Sequence, residues 1–531
     1  MTEFVLGLDQ GTSSTRCLVL DRDLEPRGAA TVPVRASFPA PGLVEQDPDE
    51  LVASARAAIS GALVAAGAAG SARAAGSARA AGAARAAGAA RAAGSARAGS
   101  VDVVAVGIAN QTETFIVAER GSGRAIHPAI VWQDRRTAER CAALTAAGHA
   151  PFVRARTGLE LDATFPATKL AWLLDHVAGA CAGAEAGELV YHDVGGWLLR
   201  HLAGVEACEI GNAGRTLLCP LGGEEWDTGL LDLFGIPAAL LPPIVASDAF
   251  ASLAPEPSRA AELPITSVLG DQQASLFGLG CRELGTAKVT LGTGAFILAH
   301  AGECAPDPPP GVLASCAWRR RGDRSFALEG FVPAAGAALD WFAGLGVLPP
   351  PAELDHVLGA AGPEDGAVAC VPAFQGLGTP SWDATARAAL IGLSRATTRA
   401  DVARAVVDGV LHQVADALEA ITARMSLTTV LLDGGMSRSD WIVRRLAEIA
   451  GVRVERAARS EATAIGAAVM AGLAAGFWGG VEELPEVAVD CVAEPSWPAS
   501  ERAARRERWS AALAVAGGWE GPAGGGAPPT S

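Results

Sequence analysis

The chain has 531 residues, half of them hydrophobic, and carries a net charge of −16 and ten cysteines. This length is enough for two or more domains with hydrophobic cores. The acidic balance argues against a nucleic-acid partner, because duplex binding needs a basic footprint. The cysteines form no CxxC pair, which is typical of reduced thiols in a cytosolic protein and argues against structural zinc. We expect neither a signal peptide nor a membrane span.

The first predicted elements are two strands joined by a polar turn. An apolar strand over residues 4–8 ends at Asp9, and a second strand covers residues 17–20. A strand, an acidic residue, a glycine, a hydroxyl cluster and a basic residue are typical of a phosphate-binding turn in which the aspartate can hold Mg²⁺. The alternative is a structural turn capped by its own hydroxyls. The candidate phosphate donors are Thr12, Ser13, Ser14 and Arg16.

A low-complexity repeat over residues 70–99 follows a helix predicted near residues 49–66. Glycine and arginine each recur there every six residues. This period matches neither a helix face nor a solenoid repeat, and regular glycines weaken a helix. We therefore predict a surface insert, flexible or fraying, between a helix and a strand. A basic contact patch is the alternative.

Two further apolar strands, over residues 101–108 and 129–132, lead to polar residues. Thr112 and Glu113 follow the first strand, and Trp132 ends the second. Ligands of α/β folds bind at the carboxyl ends of strands, so these positions are candidates for a binding site. A helix is predicted over residues 165–176, directly after Thr164. The proline-rich stretch that follows predicts a crossing between domains, which places the first domain at residues 1–260.

The second half repeats the strand-plus-aspartate pattern. A strand over residues 265–269 ends in Gly270, and Asp271 and Gln272 follow. A carboxylate after a strand and a glycine lies where backbone can approach a ligand closely. A tight GTG turn around Thr293 then points backbone N–H groups and a hydroxyl at an anion, although an ordinary strand turn is the alternative. Two such Asp-plus-Gly/Thr turns predict two similar halves that face one nucleotide.

The rest of the second domain, which we place at residues 261–515, is predicted to alternate helices and strands. Helices are expected over residues 334–342, 401–424 and 461–473. A buried strand over residues 430–432 ends in a Gly-Gly pair before a helix that starts near Ser439. Such a junction suits an adenine or a phosphate. The Gly/Pro-rich tail, residues 516–531, is expected to be disordered.

Six motifs together carry a resemblance to one family. In order, they are GLDQGTSSTR, GIANQTETF, AIVWQDRRT, GDQQASLFG, LGTGAF and LLDGGMSRSD. They resemble the motifs of the FGGY carbohydrate kinases, most closely those of the glycerol-phosphorylating members, over residues 4–475 apart from the insert. The resemblance implies two actin-like α/β domains of the ribonuclease-H-like type with ATP in the cleft between them. It also implies Mg²⁺-dependent phosphorylation of glycerol or a somewhat larger polyol or sugar in the cytoplasm, and it leaves a homo-oligomer open.

The same resemblance assigns roles to individual residues. Asp271 matches the general base for the acceptor hydroxyl, and Asp9 with Asp271 matches the metal-associated carboxylates. The acceptor contacts are Thr112, Glu113, Trp132, Thr164, Asp271, Gln272 and Phe296. The nucleotide contacts are Thr12, Ser13, Ser14, Arg16, Thr293, Gly336, Asp340, Gly435 and Ser439.

Four of these positions depart from the family pattern. Thr112 stands where glycerol-phosphorylating members have an arginine, and Thr164 where they have a tyrosine. Asp340 and Ser439 replace two other polar residues on the nucleotide side. We therefore expect a wider and less positive acceptor pocket, and an acceptor larger than glycerol. The basic segment that binds fructose 1,6-bisphosphate in some members is absent, so we do not expect that effector to act here.

Two other classes of function remain as alternatives. One is an actin-like ATPase that acts as a metabolite-binding or regulatory switch, but the retained Glu113, Trp132 and Asp271 form an acceptor pocket that a switch would not need. The other is a pseudo-kinase that only binds a metabolite. It would require the loss of Asp9 or Asp271, and both are present.

Overall fold

The computed structural model describes residues 3–77, 96–98, 101–250, 263–361 and 368–518. The helices, in chain order, are α1 (Pro48–Ser77), α2 (Ala138–Ala146), α3 (Ala150–Thr157), α4 (Pro166–His176), α5 (Ala180–Glu185), α6 (Val194–Ala203), α7 (Ile210–Gly214), α8 (Thr228–Phe234), α9 (Asp271–Gly278), α10 (Gly336–Gly344), α11 (Leu354–Gly359), α12 (Arg399–Thr422), α13 (Asp440–Ala450), α14 (Ala462–Ala475) and α15 (Ala499–Gly517). The strands, in chain order, are β1 (Glu3–Gln10), β2 (Ser14–Leu20), β3 (Pro26–Pro33), β4 (Ala36–Ser37), β5 (Glu45–Gln46), β6 (Ala96–Ala98), β7 (Val101–Asn110), β8 (Phe115–Glu119), β9 (Ala129–Ile130), β10 (Leu189–Asp193), β11 (Cys208–Glu209), β12 (Ile244–Val245), β13 (Ile265–Gly270), β14 (Thr286–Leu291), β15 (Ala295–Gly302), β16 (Leu313–Arg320), β17 (Asp323–Val332), β18 (Ala369–Val371), β19 (Ala389–Ile391), β20 (Thr429–Asp433), β21 (Arg453–Ala457) and β22 (Val489–Ala493).

Two large mixed sheets repeat one topology. In the first sheet, β1, β2 and β3 form an antiparallel meander, and β7 and β13 extend it in parallel from β1, in the order β13-β7-β1-β2-β3. In the second sheet, β14, β15, β17 and β16 form the meander, and β20 and β21 extend it in parallel from β14. The prediction of two similar α/β halves is confirmed.

Glycines allow the second half of the chain to pack directly on the first sheet. A Cβ atom on Gly7 of β1 would lie 1.8 Å from the carbonyl oxygen of Ala464 in α14, and one on Gly107 of β7 would lie 1.9 Å from that of Ala467. Only glycine permits such an approach of backbone to backbone. α14 therefore presses on the strands whose carboxyl ends lead to Asp9 and, through β7, to the residues after Asn110.

The first sheet extends beyond the domain boundary expected at residue 260. β13 follows that position and pairs in parallel with β7, with Gly270 opposite Asn110. We therefore propose that the boundary lies between α9 and β14, at residues 279–285. Local composition pointed to 260 because a proline-rich stretch precedes β13, and residues 251–262 of that stretch lie outside the described residues. Residues 519–531 of the expected tail lie outside the described residues, and α15 occupies the chain up to Gly517.

The expected insert is partly described. α1 continues to Ser77, further than the periodic glycines suggested, because a helix that has already nucleated extends readily through alanine and arginine. Residues 96–98 pair antiparallel with the start of β7. Residues 78–95 and 99–100 lie outside the described residues, so the nature of the insert stays a prediction there.

One stretch of α1, Pro48–Gly67, is the part of the described chain that is long and apolar enough to cross a membrane by length and composition alone. Half of its apolar window is buried inside the molecule. Leu51, Ala55 and Ala58 have no solvent-exposed surface and pack in one core with Leu6 and Leu8 of the first sheet. A buried apolar face of this kind is that of a core helix.

Candidate active site

The turn between β1 and β2 is held by backbone bonds and by a contact with the acceptor side. The Gly11 amide donates to the Ser14 carbonyl at 3.0 Å, and the Gln46 side-chain amide donates to the Thr12 carbonyl at 2.7 Å. The Trp132 indole N–H donates to the Thr12 hydroxyl oxygen at 3.0 Å. A residue predicted for the nucleotide and one predicted for the acceptor are therefore in direct contact. Ser13 is exposed beside them.

Arg16 lies at the end of this turn, opposite Asp9 in the β1–β2 ladder. Its guanidinium pairs with Glu461 at 2.7 Å, and its side chain remains 38% exposed. Glu461 immediately precedes α14, so this ion pair joins the phosphate turn to the helix that packs on the first sheet. The exposed part of the guanidinium can donate to an anion at the turn.

Two carboxylates meet at the carboxyl edge of the first sheet. Asp9 lies on β1, and Asp271 is the first residue of α9, directly after β13. Burial raises the pKa of Asp9 to about 7; the charge of Asp271 adds to this shift and Arg16 opposes it. Burial likewise raises the pKa of Asp271 to about 6; Glu113 adds to the shift and Lys288 opposes it. Two desolvated carboxylates that repel each other favour a cation between or beside them.

These two carboxylates fit a Mg²⁺ ion that shares nucleotide oxygens. Mg²⁺ takes hard oxygen ligands and is usually held by one or two carboxylates together with phosphates and water. Within the described ranges, no cluster of three or more His, Cys, Asp or Glu side chains could hold a metal by itself. Asp9 and Asp271 would therefore bind the ion only in combination with a phosphate ligand.

The side chain of Glu113 is presented by a left-handed backbone conformation. Its φ angle is 60°, a conformation that costs energy in a residue other than glycine and that often occurs at functional sites. The Thr112 hydroxyl donates to Glu113 Oε2 at 2.6 Å. The methyl group of Thr112 lies against Gly270, where an added Cβ would come within 2.6 Å of it. Thr112 and Glu113 therefore border the residue that precedes Asp271.

Three aromatic rings from both halves of the chain form an apolar cluster that includes two predicted acceptor contacts. The ring of Trp132 meets the ring of Phe296 edge-on, with centroids 6.4 Å apart. Phe296 in turn contacts Phe331 at 5.0 Å. Trp132 follows β9, whereas both phenylalanines belong to the second sheet, so the fold brings together Trp132 and Phe296, two of the predicted acceptor contacts.

Thr164 and Gln272 have defined partners. The Thr164 hydroxyl donates to Asp162 Oδ1 at 2.6 Å, so it caps its own loop. The Gln272 amide N–H donates to Asp271 Oδ1 at 2.7 Å, which orients that carboxylate. Gln272 thus orients the Asp271 carboxylate, apart from its predicted contact with an acceptor.

Three nucleotide-side turns converge in the second half. The carbonyls of Gly292 and Thr293 accept hydrogen bonds from the amides of Gly336 and Ala337 at 2.8 and 3.0 Å. A Cβ on Gly434 would lie 2.5 Å from the Leu291 carbonyl oxygen, so the Gly-Gly turn abuts the GTG turn. The structure therefore brings together the predicted contacts Thr293, Gly336 and Gly435.

The two altered nucleotide-side positions differ in their surroundings. Asp340 is exposed on α10, one turn after Gly336. Ser439 caps α13: its hydroxyl oxygen accepts from the Ile442 amide at 3.1 Å and its hydroxyl donates to Asp355. The side chain of Ser439 is therefore engaged within the protein, an arrangement that its position before a predicted helix could have suggested.

Two cationic residues of the site were missed by the sequence analysis. Lys288 is fully buried on β14 and donates to Gln272 Oε1, and to Thr290 Oγ1 at 2.9 Å. Burial lowers its pKa, while Asp433 and Asp271 oppose that shift. Arg215 follows α7 and contacts Glu113. A lysine inside an otherwise apolar strand was a usable signal for Lys288. The polar residues 212–216 around Arg215 gave no indication of its partner.

Lys169 is a third buried cation, on α4. Its ammonium group donates to the carbonyl oxygens of Thr164 at 2.8 Å and Val131 at 3.2 Å. Burial lowers its pKa to about 7, against the opposing charges of Asp134, Glu113 and Asp162. Lys169 thereby ties the Thr164 loop to the strand that leads to Trp132.

Comparison with known proteins agrees with this architecture. The family model "FGGY family of carbohydrate kinases, N-terminal domain" matches residues 4–72 and 86–278, and the corresponding C-terminal domain model matches residues 287–475. The unmatched residues between 72 and 86 fall within the expected insert. The break between 278 and 287 agrees with the boundary proposed from the sheet order.

Individual relatives match over nearly the whole chain. A glycerol kinase from Aromatoleum aromaticum is 42% identical and covers 97% of this chain and 99% of its own. The crystal structure of Plasmodium falciparum glycerol kinase with ADP superposes with a TM-score of 0.84 at 25% identity, covering 97% of this chain and 98% of that one. A xyloylose kinase structure from Brucella ovis has a TM-score of 0.79 at 26% identity, covering 96% and 99%.

These similarities confirm the two-domain actin-like fold and the kinase class that the motifs implied. Both family models match in the expected order, and the relatives extend over the full length of the two sheets. The chain belongs to the FGGY family of carbohydrate kinases.

Proposed function

We propose that this carbohydrate kinase transfers the γ-phosphoryl group of ATP to a hydroxyl of glycerol or of a somewhat larger polyol. The observation that supports this most is the convergence of Asp271, Glu113 and Trp132 beside the Thr12 turn. The charge of Glu113 raises the pKa of Asp271 and that of Lys288 lowers it. The Trp132 indole N–H donates to the Thr12 hydroxyl oxygen at 3.0 Å. An acceptor pocket of this kind adjoining a phosphate turn supports a kinase more than an ATPase switch. The glycerol kinases among the relatives support the acceptor class.

In this proposal, Asp271 takes the proton of the acceptor hydroxyl. A general base works best when its pKa is near the working pH, and burial brings the pKa of Asp271 to about 6. The Gln272 backbone N–H donates to Asp271 Oδ1 at 2.7 Å and so orients the carboxylate that would accept this proton. Glu113 is placed to accept a second acceptor hydroxyl. The apolar wall of Trp132 and Phe296 excludes water that would otherwise hydrolyse ATP.

The nucleotide is held from both halves. Thr12, Ser13, Ser14 and Arg16 offer donors to phosphate oxygens from the first half, and Thr293 offers them from the second. Gly435 leaves room for the nucleoside, because no atom lies within 4 Å of a Cβ built on it, whereas Gly336 packs closely against the Gly292 carbonyl. Mg²⁺, held by Asp9 and Asp271, would neutralise phosphate charge. A cytoplasmic location and a homo-oligomer stay predictions.

The test of this proposal is acceptor-dependent ADP release. The purified chain is incubated with ATP, Mg²⁺ and a polyol, and the phosphorylated product is identified by mass spectrometry. We expect ADP release to depend on the polyol and to match product formation. ATP hydrolysis at the same rate with and without every polyol tested would overturn the proposal and favour the switch-type ATPase.

The groups around Asp271 predict opposite pH shifts in two variants. The base acts deprotonated, so the wild-type kcat/KM for the acceptor should fall as the pH drops below about 6. Lys288→Met removes a charge that lowers the pKa of Asp271, so this fall should begin at higher pH. Glu113→Gln removes a charge that raises the same pKa, so it should begin at lower pH. Steady-state pH profiles check this, and shifts in the same direction would contradict it.

Shortening the insert should have little effect. The family model skips the residues between 72 and 86, so removal of residues 73–85 should leave kcat and KM within about twofold of the wild-type values and cost little stability. Thermal unfolding and steady-state kinetics measure both quantities. A variant that folds but loses turnover would show that the insert takes part in catalysis. Removal of residues 55–67 of α1, whose buried face lies in the core, is the control that should unfold the protein.

A further inference from the structure

One arginine joins carboxylates from the two halves of the chain at the acceptor pocket. Arg215 Nε donates to Glu113 Oε1 at 2.5 Å, and a terminal nitrogen of the same guanidinium donates to Glu329 Oε2 at 2.5 Å. Glu113 follows β7 of the first sheet, whereas Glu329 lies on β17 of the second. The arginine side chain is only 12% exposed. Its planar fork suits this double contact in a way that a lysine does not.

The hydrogen-bond chain Glu113–Arg215–Glu329 continues beyond both carboxylates. Glu113 Oε2 accepts from the Thr112 hydroxyl, so both oxygens of this carboxylate have partners. Glu329 also accepts from the Ser315 hydroxyl, and from the Gln273 side-chain amide at 3.5 Å. Gln273 lies two residues after Asp271 on α9. A continuous line of polar contacts therefore runs from Thr112 to the helix that carries the base.

The charge of Arg215 bears on an expectation from the sequence. The threonine at position 112 predicts a less positive pocket than an arginine would give, and Arg215 places a guanidinium directly on Glu113. The Arg215 guanidinium also lies 5.3 Å from the centre of the Phe165 ring, next to Thr164. A cation from another element therefore lies beside Glu113, and the smaller positive charge and larger volume of the pocket stay predictions.

We propose that Arg215 is a positioning residue for the acceptor. It orients the Glu113 carboxylate toward an acceptor hydroxyl. Because Arg215 also bonds Glu329, the orientation of Glu113 depends on the position of the second half of the chain. This inference rests on the proposed function, because it assigns Glu113 an acceptor hydroxyl. A residue with this role affects acceptor binding and the environment of Asp271 more than it affects ATP binding.

The test compares Arg215→Lys, Arg215→Met and Glu329→Gln with a matched control. Arg200→Lys alters an arginine that pairs with Glu206 at 2.9 Å, away from the site. We expect Arg215→Met to raise the acceptor KM by about tenfold or more and to leave the ATP KM within about threefold. Arg215→Lys should recover part of this loss, and Arg200→Lys should change neither KM.

Each outcome bears on the proposal. If Arg215→Met does not fold, as judged by thermal unfolding, Arg215→Lys and Glu329→Gln carry the test, and both should raise the acceptor KM selectively. An unchanged acceptor KM in every folded variant, or equal rises in the acceptor and ATP KM, would overturn the role of Arg215. If the variants give this result but the wild-type enzyme phosphorylates a polyol, the role of Arg215 is wrong and the proposed function still holds. A wild-type enzyme that phosphorylates no polyol overturns the proposed function and this inference together.

Discussion

Asp271→Asn is expected to lower kcat by about 10²-fold or more while ATP still binds. The asparagine keeps the size of the side chain and can still accept the Gln272 amide hydrogen bond that now reaches Asp271 Oδ1 at 2.7 Å. It cannot take the proton of an acceptor hydroxyl at neutral pH. Because Asp271 raises the pKa of Asp9, the substitution should make Asp9 more readily ionised, which partly offsets the loss of the second carboxylate beside the metal.

Calorimetric titration with ATP and single-turnover measurement of product formation separate these effects. Gln272→Ala serves as the control, since it removes the side chain that bonds Lys288 but keeps the backbone N–H that orients Asp271. We expect it to lose much less kcat than Asp271→Asn. A near-normal kcat in Asp271→Asn would show that another group accepts the proton. A loss of ATP binding in step with kcat would mean that Asp271 serves the metal alone.

The parts of the site that could be predicted are those encoded over short distances along the chain. Asp9 and Asp271 each follow an apolar strand, and the strand, the turn and the carboxylate lie within a few residues of one another. The residue roles came from motif resemblance, and the structure brings most of these residues to the edges of two adjoining sheets.

The parts that could not be predicted depend on contacts between distant segments. The pairing of β13 with β7 extends the first sheet past residue 260, and no local feature of the sequence distinguishes that pairing. The ion pair between Arg215 and Glu329 joins positions more than a hundred residues apart. Composition can show that charged residues are present, but only the fold decides which of them meet in a buried site.

The wider acceptor pocket stays a prediction, and it concerns the volume of the pocket and not its charge. Arg215 provides the cation beside Glu113, while Thr112 and Thr164 remain small. Their hydroxyls bond to Glu113 and Asp162, each at 2.6 Å, so the threonines are anchored to neighbouring carboxylates. Each hydroxyl oxygen still has lone pairs that can accept a hydrogen bond from a ligand.

We therefore expect a four- or five-carbon polyol to be a better acceptor than glycerol. An additional hydroxymethyl group would fill the space beside Thr112 and Thr164, whereas glycerol would leave hydrogen bonds unmade that are each worth about 1–3 kcal/mol when buried. The preference in kcat/KM should be about tenfold. It is measured across glycerol, tetritols, pentitols and ketopentoses under the same ATP and Mg²⁺ conditions. Glycerol as the best acceptor by a wide margin would contradict this prediction.

The double variant Thr112→Arg/Thr164→Tyr tests the cause of that preference. The two large side chains should close the pocket around a three-carbon acceptor and change the ratio of kcat/KM values toward glycerol by about tenfold or more. The matched control is Thr112→Ser/Thr164→Ser, which keeps both hydroxyls and the open volume and should retain the preference for the larger polyol. If the ratio does not change in the Arg/Tyr variant, the space beside these threonines does not determine acceptor size. A changed ratio in the double-serine variant would instead point to the threonine methyl groups, one of which packs against Gly270 next to the base.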